Sequence, residues 1–261
     1  LPAEKAMQQT RQRVIDSVLD VLEGWREIET VSILDFGEDI YDPYFFLSLD
    51  VFYQEALPES EERAEAFSFA ELFESNLGRG KDRLLIEEIP LRLEYKRAAD
   101  VTETVNTALN NPRDLSEPGT YLFHRLYSSK TLIERSDWLS KLRKALAEEL
   151  PEEFWEFQRS ALQLKMEHSL SDLMAAVVME DQLFYLVSAS GFIRSLCSVL
   201  FAINRRFEPS GRFLGKVTTE LPVLPESFSG LFDTFLREDA TISRQRRTEV
   251  AELLARGVIS L

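Results

Sequence analysis

The spacing of hydrophobic residues changes along the chain, from mixed periods in the first half to a helical period in the second. Val14, Val18 and Leu22 recur every four residues, so this pattern predicts an amphipathic helix over residues 4–25. Short apolar runs bounded by Gly, Pro and acidic turns predict β-strands. These runs cover residues 31–37, 44–53, 83–88 and 91–95.

Helical spacing returns after residue 97 and dominates from Ser136 nearly to the end. Segment 121–133 is ambiguous and allows another short strand. The predicted helices cover 66–73, 98–109, a segment starting near Pro151, 158–168, 171–207 with a break near Gly191, 227–237, and 242–256 with a cap near Gly257. We therefore predict an α+β protein. An N-terminal mixed sheet with flanking helices at residues 1–133 precedes an all-α helical-bundle domain at residues 134–261.

Composition limits the classes of partner. The 261 residues carry a net charge of −15, which disfavours generic nucleic-acid binding and anionic membranes. One cysteine, Cys197, excludes an intrachain disulfide. The most apolar stretch, 183–204, contains Arg194, so we predict a buried helix there instead of a membrane span. The first residues lack the layout of a signal peptide, and we expect a soluble, cytoplasmic protein.

Asp50 is the most informative residue, because it lies in the middle of the apolar run 44–53. Strand side chains alternate between faces, so Asp50 shares a face with Ser48 and Phe52. A buried carboxylate is costly unless a cation, a metal or hydrogen-bond donors compensate its charge. The identity of that compensating group is therefore the central question about this chain.

Glu94 occupies a similar position in the run 91–95, and two half-buried strands could bring it close to Asp50. Two neighbouring carboxylates repel unless a cation lies between them, and Mg²⁺ prefers such ligands together with substrate phosphate. The alternative is neutralisation by basic residues of the chain, with Arg92, Lys96 and Arg97 as the candidates. In that case a guanidinium, for which Arg92 is well placed, would fill the place of the metal.

The order of these residues resembles the nucleotidyltransferase superfamily, which has the polymerase-beta-like fold. Gly37 and Glu38 stand where that family has Gly-Ser. After nine intervening residues, Ser48 and Asp50 stand where it has Asp-x-Asp or Asp-x-Glu. Glu94 stands at the third acid. The two-domain layout is similar to that of the kanamycin nucleotidyltransferase group. This resemblance implies that Asp50 and Glu94 are catalytic and bind Mg²⁺, and that Gly37, Glu38 and Ser48 contact the nucleotide.

Arg205 and Arg206 supply a second basic element at the end of an apolar helical segment. They could form the wall of a nucleotide cleft, and the alternative is a solvated helix end whose cations complement the dipole. Gly78-Arg79-Gly80-Lys81 predicts a turn, with a phosphate cradle as the weaker interpretation.

Two departures from the family pattern bear on activity. Glu38 replaces the serine that contacts phosphate, and Ser48 replaces the first metal-binding acid, which a two-metal site requires. We therefore predict a nucleotidyltransferase-like protein, weakly active or inactive. If active, it would transfer a nucleotidyl group from a nucleoside triphosphate to a small-molecule hydroxyl. The alternatives are a non-catalytic ligand- or protein-binding regulatory protein on the same fold, and a helical interaction protein with a small sheet. The acceptor, the base preference and the oligomeric state stay open.

Overall fold

A computed structural model describes residues 2–34, 45–76, 80–237 and 241–261. The predicted features at Gly37 and Glu38, and the first part of the turn at 78–81, lie outside these ranges. The chain divides into two compact units. Unit 1 comprises residues 1–106 and 125–149, and unit 2 comprises residues 107–124 and 150–261. Each unit thus draws on two separate stretches of the chain, and the predicted domains at 1–133 and 134–261 stay a prediction.

Unit 1 contains a six-stranded mixed sheet. Its strands are β1 (Ile28–Ile33), β2 (Leu47–Tyr53), β3 (Leu72–Asn76), β4 (Lys81–Ile86), β5 (Ile89–Arg97) and β6 (Lys130–Glu134). The strand order is β3-β4-β5-β2-β1-β6. Strands β2 and β5 pair in parallel, and the other neighbours are antiparallel. The α+β fold class is therefore confirmed, and segment 121–133 does contain the start of a short strand.

The helices follow the predicted pattern with several shifts of their ends. They are α1 (Pro2–Glu23), α2 (Ser60–Ala66), α3 (Ala98–Asn110), α4 (Tyr121–Ser128), α5 (Trp138–Glu148), α6 (Glu152–Val178), α7 (Gln182–Ile203), α8 (Leu214–Thr219), α9 (Phe228–Leu236) and α10 (Arg244–Ile259), and a 3₁₀ turn lies at Pro112–Asp114. The region from residue 150 onward is all-helical in the part that the structure describes.

The two faces of the sheet differ in polarity. The first face is apolar, and its strand residues form one buried cluster with Val14, Val18 and Leu22 of α1. The predicted amphipathic helix thus covers this face, where removing apolar area from water stabilises the fold. The second face carries Ser48, Asp50 and Phe52 of β2 in alternation with the apolar residues.

Helices α3 and α5 meet the second, more polar face near the end of β2. The ring of Trp138 lies 5.1 Å from that of Phe52, and its indole N–H donates to the Thr102 hydroxyl at 2.9 Å. Phe52 is fully buried by this packing. The charged positions of the face lie beside this hydrophobic contact, on strands β2, β4 and β5.

Three predictions of local structure were wrong. Residues 66–73 end a helix and begin β3, because Leu72 and Phe73 pair with β4. The helical break lies near Glu180 instead of Gly191. Gly191 lies inside α7, where a Cβ would come 3.0 Å from the Ser169 Oγ, so its small size permits close helix packing. Gly257 lies inside α10 instead of capping it.

Candidate functional site

Asp50 is buried to 99%, and two cations contact its carboxylate. The Lys96 ammonium donates to Oδ1, and the Arg125 Nε donates to Oδ2 at 2.7 Å. Both carboxylate oxygens are therefore engaged by side chains of the same chain. These two ion pairs answer the question posed by the sequence, because they compensate the charge of Asp50 without any external ion.

Arg125 reaches the site from α4, 75 residues away from Asp50 in sequence. Its side chain is 96% buried, and its NH2 also donates to the Ser48 hydroxyl at 3.0 Å. Ser48, the residue that replaces the first acid of the resembled motif, thus accepts a hydrogen bond from the cation that neutralises Asp50. A carboxylate in its place would meet the same guanidinium.

Glu94 lies directly opposite Asp50, because β2 and β5 pair in parallel with Asp50 and Glu94 in register. The predicted proximity of the two acids is therefore confirmed, and the interpretation in which their strands are not neighbours has no support. The Lys96 ammonium lies between them, since it contacts Asp50 and also lies 3.6 Å from the Glu94 Oε2. Lys81 donates to the other Glu94 oxygen at 3.1 Å.

Burial by itself would raise the pKa of Glu94, but the charges of Arg125, Lys96 and Lys81 outweigh it. The pKa of Glu94 consequently lies below its ordinary value. Glu94 is thus held as a carboxylate at neutral pH by the surrounding cations.

Arg92 does not take the position that the sequence suggested for it. Its NH1 lies 4.0 Å from Glu94, and its guanidinium lies over the Phe46 ring at 4.4 Å. In the β2–β5 register Arg92 lies opposite Ser48, which is two residues before Asp50 on the same face of β2. Lys96, one of the three predicted candidates, neutralises Asp50 together with Arg125, which was not predicted.

The site carries more positive than negative charge. Four cations surround two carboxylates, which gives a formal excess of two positive charges: Lys81, Arg92, Lys96 and Arg125 against Asp50 and Glu94. Arg83 lies opposite Arg92 in the β4–β5 register and opposite the exposed Glu74 in the β3–β4 register, so the Arg83–Glu74 pair leaves this excess unchanged. Like charges directly opposite are unfavourable in a sheet. This local excess contrasts with the net charge of −15 of the whole chain.

These contacts do not fit a Mg²⁺ ion. A bound cation needs free carboxylate oxygens, whereas both oxygens of Asp50 and both of Glu94 already face an ammonium or guanidinium group. In the part of the chain that the structure describes, no group of three or more His, Cys, Asp or Glu side chains is arranged to hold a metal. Mg²⁺ at Asp50 and Glu94 stays a prediction, and the geometry favours its alternative.

Two hydroxyl groups on β1 complete the polar face. Ser32 pairs with Asp50 in the antiparallel register, and Thr30 pairs with Phe52. Both side chains are fully buried, and neither hydroxyl has a hydrogen-bond partner among the described residues. Buried hydroxyls normally find a partner, so this part of the face has unused hydrogen-bonding capacity next to Asp50.

Arg205 and Arg206 belong to unit 2, and both are exposed. Arg205 has a φ of +51° at the end of α7, and its guanidinium lies 2.5 Å from the Glu152 carboxylate. This arrangement corresponds to the solvated helix end that was the alternative interpretation. A nucleotide-binding role for these two residues stays a prediction.

A second buried acid, Asp82, lies on the apolar face of β4 and was not predicted. Its carboxylate is fully buried and accepts from Arg63 Nε at 2.8 Å, Arg63 NH2 at 3.1 Å and the Tyr95 hydroxyl at 2.9 Å. Arg63 also donates to the Pro58 carbonyl and the Ser75 hydroxyl. The alternation of Asp82 with Leu84 and Ile86 was the available signal.

The chemistry around Asp82 is that of a closed structural site. Burial raises the pKa of Tyr95 well above its ordinary value, and the charge of Asp82 raises it further, so the hydroxyl stays protonated and can donate. One cation balances one anion, and every nitrogen of the Arg63 guanidinium has an acceptor. This cluster presents no surplus charge to a ligand.

Comparison with known proteins adds one structural likeness. No family model matches the chain, and no curated protein matches it. Among solved structures, the chain is similar to a nucleotidyltransferase-like protein from Exiguobacterium sibiricum 255-15, with 11% sequence identity and a TM-score of 0.48. The likeness covers 97% of this chain and 74% of that one. At this identity and score it decides neither the family of this chain nor its activity.

Proposed function

We propose that this chain is a non-catalytic binding protein with a nucleotidyltransferase-like layout, in which ion pairs of the chain itself replace the catalytic metal. Its ligand is a phosphate-bearing small molecule of the nucleotide class, bound without Mg²⁺. The observation that carries this proposal is the Lys96 ammonium between Asp50 and Glu94.

The first step of the argument concerns catalysis. Metal-dependent transfer requires carboxylates that are free to hold a cation and to receive a proton from the acceptor. Asp50 is instead paired with Lys96 and Arg125, and Ser48 stands where a further acid would be needed. Removing both cations would leave the buried carboxylate of Asp50 unpaired, which is strongly unfavourable. The paired state is therefore the resting state of the site, and it supports a binding role.

The second step concerns the ligand. Lys81, Arg92 and Lys96 keep part of their side chains exposed, at 38%, 32% and 22%. A cation excess on a partly exposed face attracts anions, and guanidinium and ammonium groups form strong charge-assisted hydrogen bonds with phosphate oxygens. The local charge thus favours a phosphate group over a metal ion, although the rest of the chain is acidic.

Isothermal titration calorimetry with ATP, GTP, CTP, UTP and tripolyphosphate, each with EDTA or with Mg²⁺, tests this function. We expect binding in EDTA that weakens as the salt concentration rises. Replacing both exposed cations, Lys81→Gln with Arg92→Gln, should weaken binding about tenfold or more, since a hydrogen bond to a charged group contributes roughly 1.5–3 kcal/mol. Lys141→Gln on α5 is the matched control and should bind as the parent does.

Asp50 separates the two functions most clearly. A metal-dependent enzyme loses binding and transfer when Asp50 becomes Asn or Ala. The proposed anion site should keep its affinity or gain some in Asp50→Asn, because that change removes a negative charge from the face. Mg²⁺-dependent nucleotidyl transfer that Asp50→Ala abolishes would overturn the proposal, as would the absence of binding by all five ligands.

A further inference from the structure

The first turn of α10 in unit 2 concentrates positive charge. It carries Arg244, Arg246 and Arg247, and no acid lies in the turn. The N-terminus of a helix has partial positive charge of its own, so cations there are unfavourable and anions are stabilised. We call residues 244–247 the basic turn. Its arginines and the helix N-terminus together favour a negative group from outside the helix.

The three arginines differ in how they are compensated. Arg246 pairs with the exposed Glu249 at 2.8 Å. The NH2 of Arg247 donates to the carbonyl of Arg237, while its Nε is buried and has no hydrogen-bond partner in the part of the chain that the structure describes. Arg244 is exposed and forms no ion pair with any described residue. Two of the three cations therefore lack a carboxylate.

A buried hydroxyl without a partner belongs to the residue that Arg244 contacts. The guanidinium of Arg244 lies over the ring of Tyr185 in α7, 5.3 Å from the ring centroid. Tyr185 is only 4% exposed, and its hydroxyl has no hydrogen-bond partner among the described residues. The hydroxyl of Ser188, one turn further along the same face of α7, is buried and unpartnered as well. Buried hydroxyls normally find a partner, so an acceptor is missing beside an unpaired cation.

The donors around this point match a phosphate group. Arg244 and Arg247 lie three residues apart, so their side chains leave α10 on neighbouring parts of one face. Two guanidinium groups, the helix N-terminus and the Tyr185 hydroxyl all require acceptor oxygens. A phosphate group offers several such oxygens and about two negative charges at neutral pH, whereas a carboxylate offers two oxygens and one charge. The donor set therefore favours phosphate.

The acids near the basic turn leave Arg244 and Arg247 uncompensated. Glu249 pairs with Arg246, and the carboxylate of Asp181 accepts the N–H of Phe184 as the cap of α7. Glu238 and Asp239 precede the turn in sequence and lie outside the described residues. Residues 237–247 contain four arginines and these two acids, an excess of two positive charges within a chain whose net charge is −15.

We infer that Arg244, Arg247 and the Tyr185 hydroxyl bind the phosphate group of a small soluble molecule at the start of α10. Because the hydroxyl is buried below Arg244, a headgroup held at a membrane surface does not reach it. The exposed Arg244 side chain would turn from the ring to the phosphate when the ligand enters. This site belongs to unit 2, whereas Asp50 belongs to unit 1, and the inference does not rest on the proposed function.

Isothermal titration calorimetry with inorganic phosphate and with glycerol 3-phosphate tests the site. The protein carries Lys81→Gln with Arg92→Gln, so that the Asp50 site contributes little. We expect a dissociation constant below about 1 mM. Adding Arg244→Gln with Arg247→Gln should weaken binding at least tenfold, because two charge-assisted hydrogen bonds are lost. Arg256→Gln is the matched control. It removes an arginine from the last turn of the same helix, where Arg256 pairs with Glu252, and should not change the affinity.

Tyr185→Phe separates binding from a structural role, since it keeps the buried ring and removes only the hydroxyl. In phosphate-free buffer this variant should unfold at the same temperature as the parent, because the hydroxyl has no partner to lose. Its affinity for phosphate should fall about three- to tenfold. Phosphate also stabilises proteins in general, and that effect is common to both proteins and cancels in their difference. A loss of stability without phosphate would instead assign the hydroxyl a structural role and contradict the inference.

Three results overturn the inference. The first is the absence of phosphate binding below about 1 mM when the Asp50 site is weakened, and the second is binding that survives Arg244→Gln with Arg247→Gln. The third is phosphate binding that appears only after Glu238→Gln with Asp239→Asn, because acids of the chain would then fill the site. Unchanged or tighter binding in that variant supports it. The nucleotide titrations at the Asp50 site are independent of all three.

Discussion

Two aspartates of one sheet, Asp82 and Asp50, are equally buried but differ in how their charge is compensated. Asp82 faces the apolar side of the sheet and meets one guanidinium and one hydroxyl, from Arg63 and Tyr95. Asp50 faces the other side and meets an ammonium and a guanidinium, with Glu94 beside it. The first site is neutral and closed, and the second carries surplus cations that are partly exposed.

This difference indicates which buried charge has a role beyond stability. A closed, neutral pair is expected wherever an acid is trapped in a core, because every unpaired group there is costly. A surplus of charge is not needed for that purpose, and it destabilises the fold unless something outside the chain compensates it. The Asp50 site is therefore the one at which a ligand is expected, although both acids stand out equally against their apolar neighbours.

The largest expected effect distinguishes the two sites by stability. Arg63→Met leaves Asp82 with only the Tyr95 hydroxyl, and breaking such a buried pair costs about 3–5 kcal/mol. Lys96→Met leaves Asp50 paired with Arg125, so we expect a loss of about 1 kcal/mol, the net value of one hydrogen-bonded contact. Urea-induced unfolding of the two variants and the parent measures both losses.

Arg13→Met provides the control for removing a guanidinium as such. Arg13 pairs with Glu87 at 2.6 Å, but both side chains are largely exposed, so the loss should stay within about 1 kcal/mol. Equal losses from Arg63→Met and Lys96→Met would contradict the comparison. They would mean that the Asp50 site is as closed as the Asp82 site.

The dependence of stability on pH tests the charges of the Asp50 site through Glu94. The pKa of Glu94 is lower in the folded chain than its ordinary value, so its contribution to stability is complete above that ordinary value. The contribution is lost as the pH falls through the lowered pKa, because the folded chain must then take up a proton against its cations. Glu94→Gln should therefore be less stable than the parent near neutral pH and should lose less stability on acidification.

The measurement is the free energy of unfolding from pH 7 to pH 3, and Glu74→Gln is its matched control. Glu74 is an exposed glutamate on the neighbouring strand β3, opposite Arg83. This control should keep the acid dependence of the parent. If Glu94→Gln lost as much free energy of unfolding between pH 7 and pH 3 as the parent does, the cations around Glu94 would not stabilise its charge.

Alternation along single strands was enough to predict the neighbourhood of Asp50. It placed Asp50 and Ser48 on one face, and the parallel β2–β5 pairing then put Glu94 opposite Asp50. Lys96 was one of the predicted candidate cations, and it shares the face of Glu94 two residues later. Local periodicity carries this information because neighbours on a strand have fixed directions.

Arg125 could not be predicted, because its position depends on how α4 packs against the sheet, 75 residues from Asp50. The α2–β3 segment failed for a related reason. Residues 66–73 have helical spacing, but Leu72 and Phe73 gain ladder hydrogen bonds with β4 that no local pattern reveals. Tertiary pairing overrides local preference in such cases.

The smallest expected effect is the most specific to the site. It is a gain of stability with Mg²⁺ when Lys96 is removed. Lys96→Ala removes the ammonium between Asp50 and Glu94 and leaves two adjacent carboxylates, a pair that attracts Mg²⁺. We expect Mg²⁺ at about five times its dissociation constant to stabilise this variant by about 1 kcal/mol and the parent hardly at all. Thermal unfolding with Mg²⁺ or EDTA measures the effect.

Lys81→Ala is the matched control, because Lys81 contacts Glu94 and its removal leaves Asp50 paired. If Mg²⁺ stabilised the parent as much as Lys96→Ala, the ammonium would not occupy the place of a metal, and the distinction between the Asp50 site and a working metal site would fail.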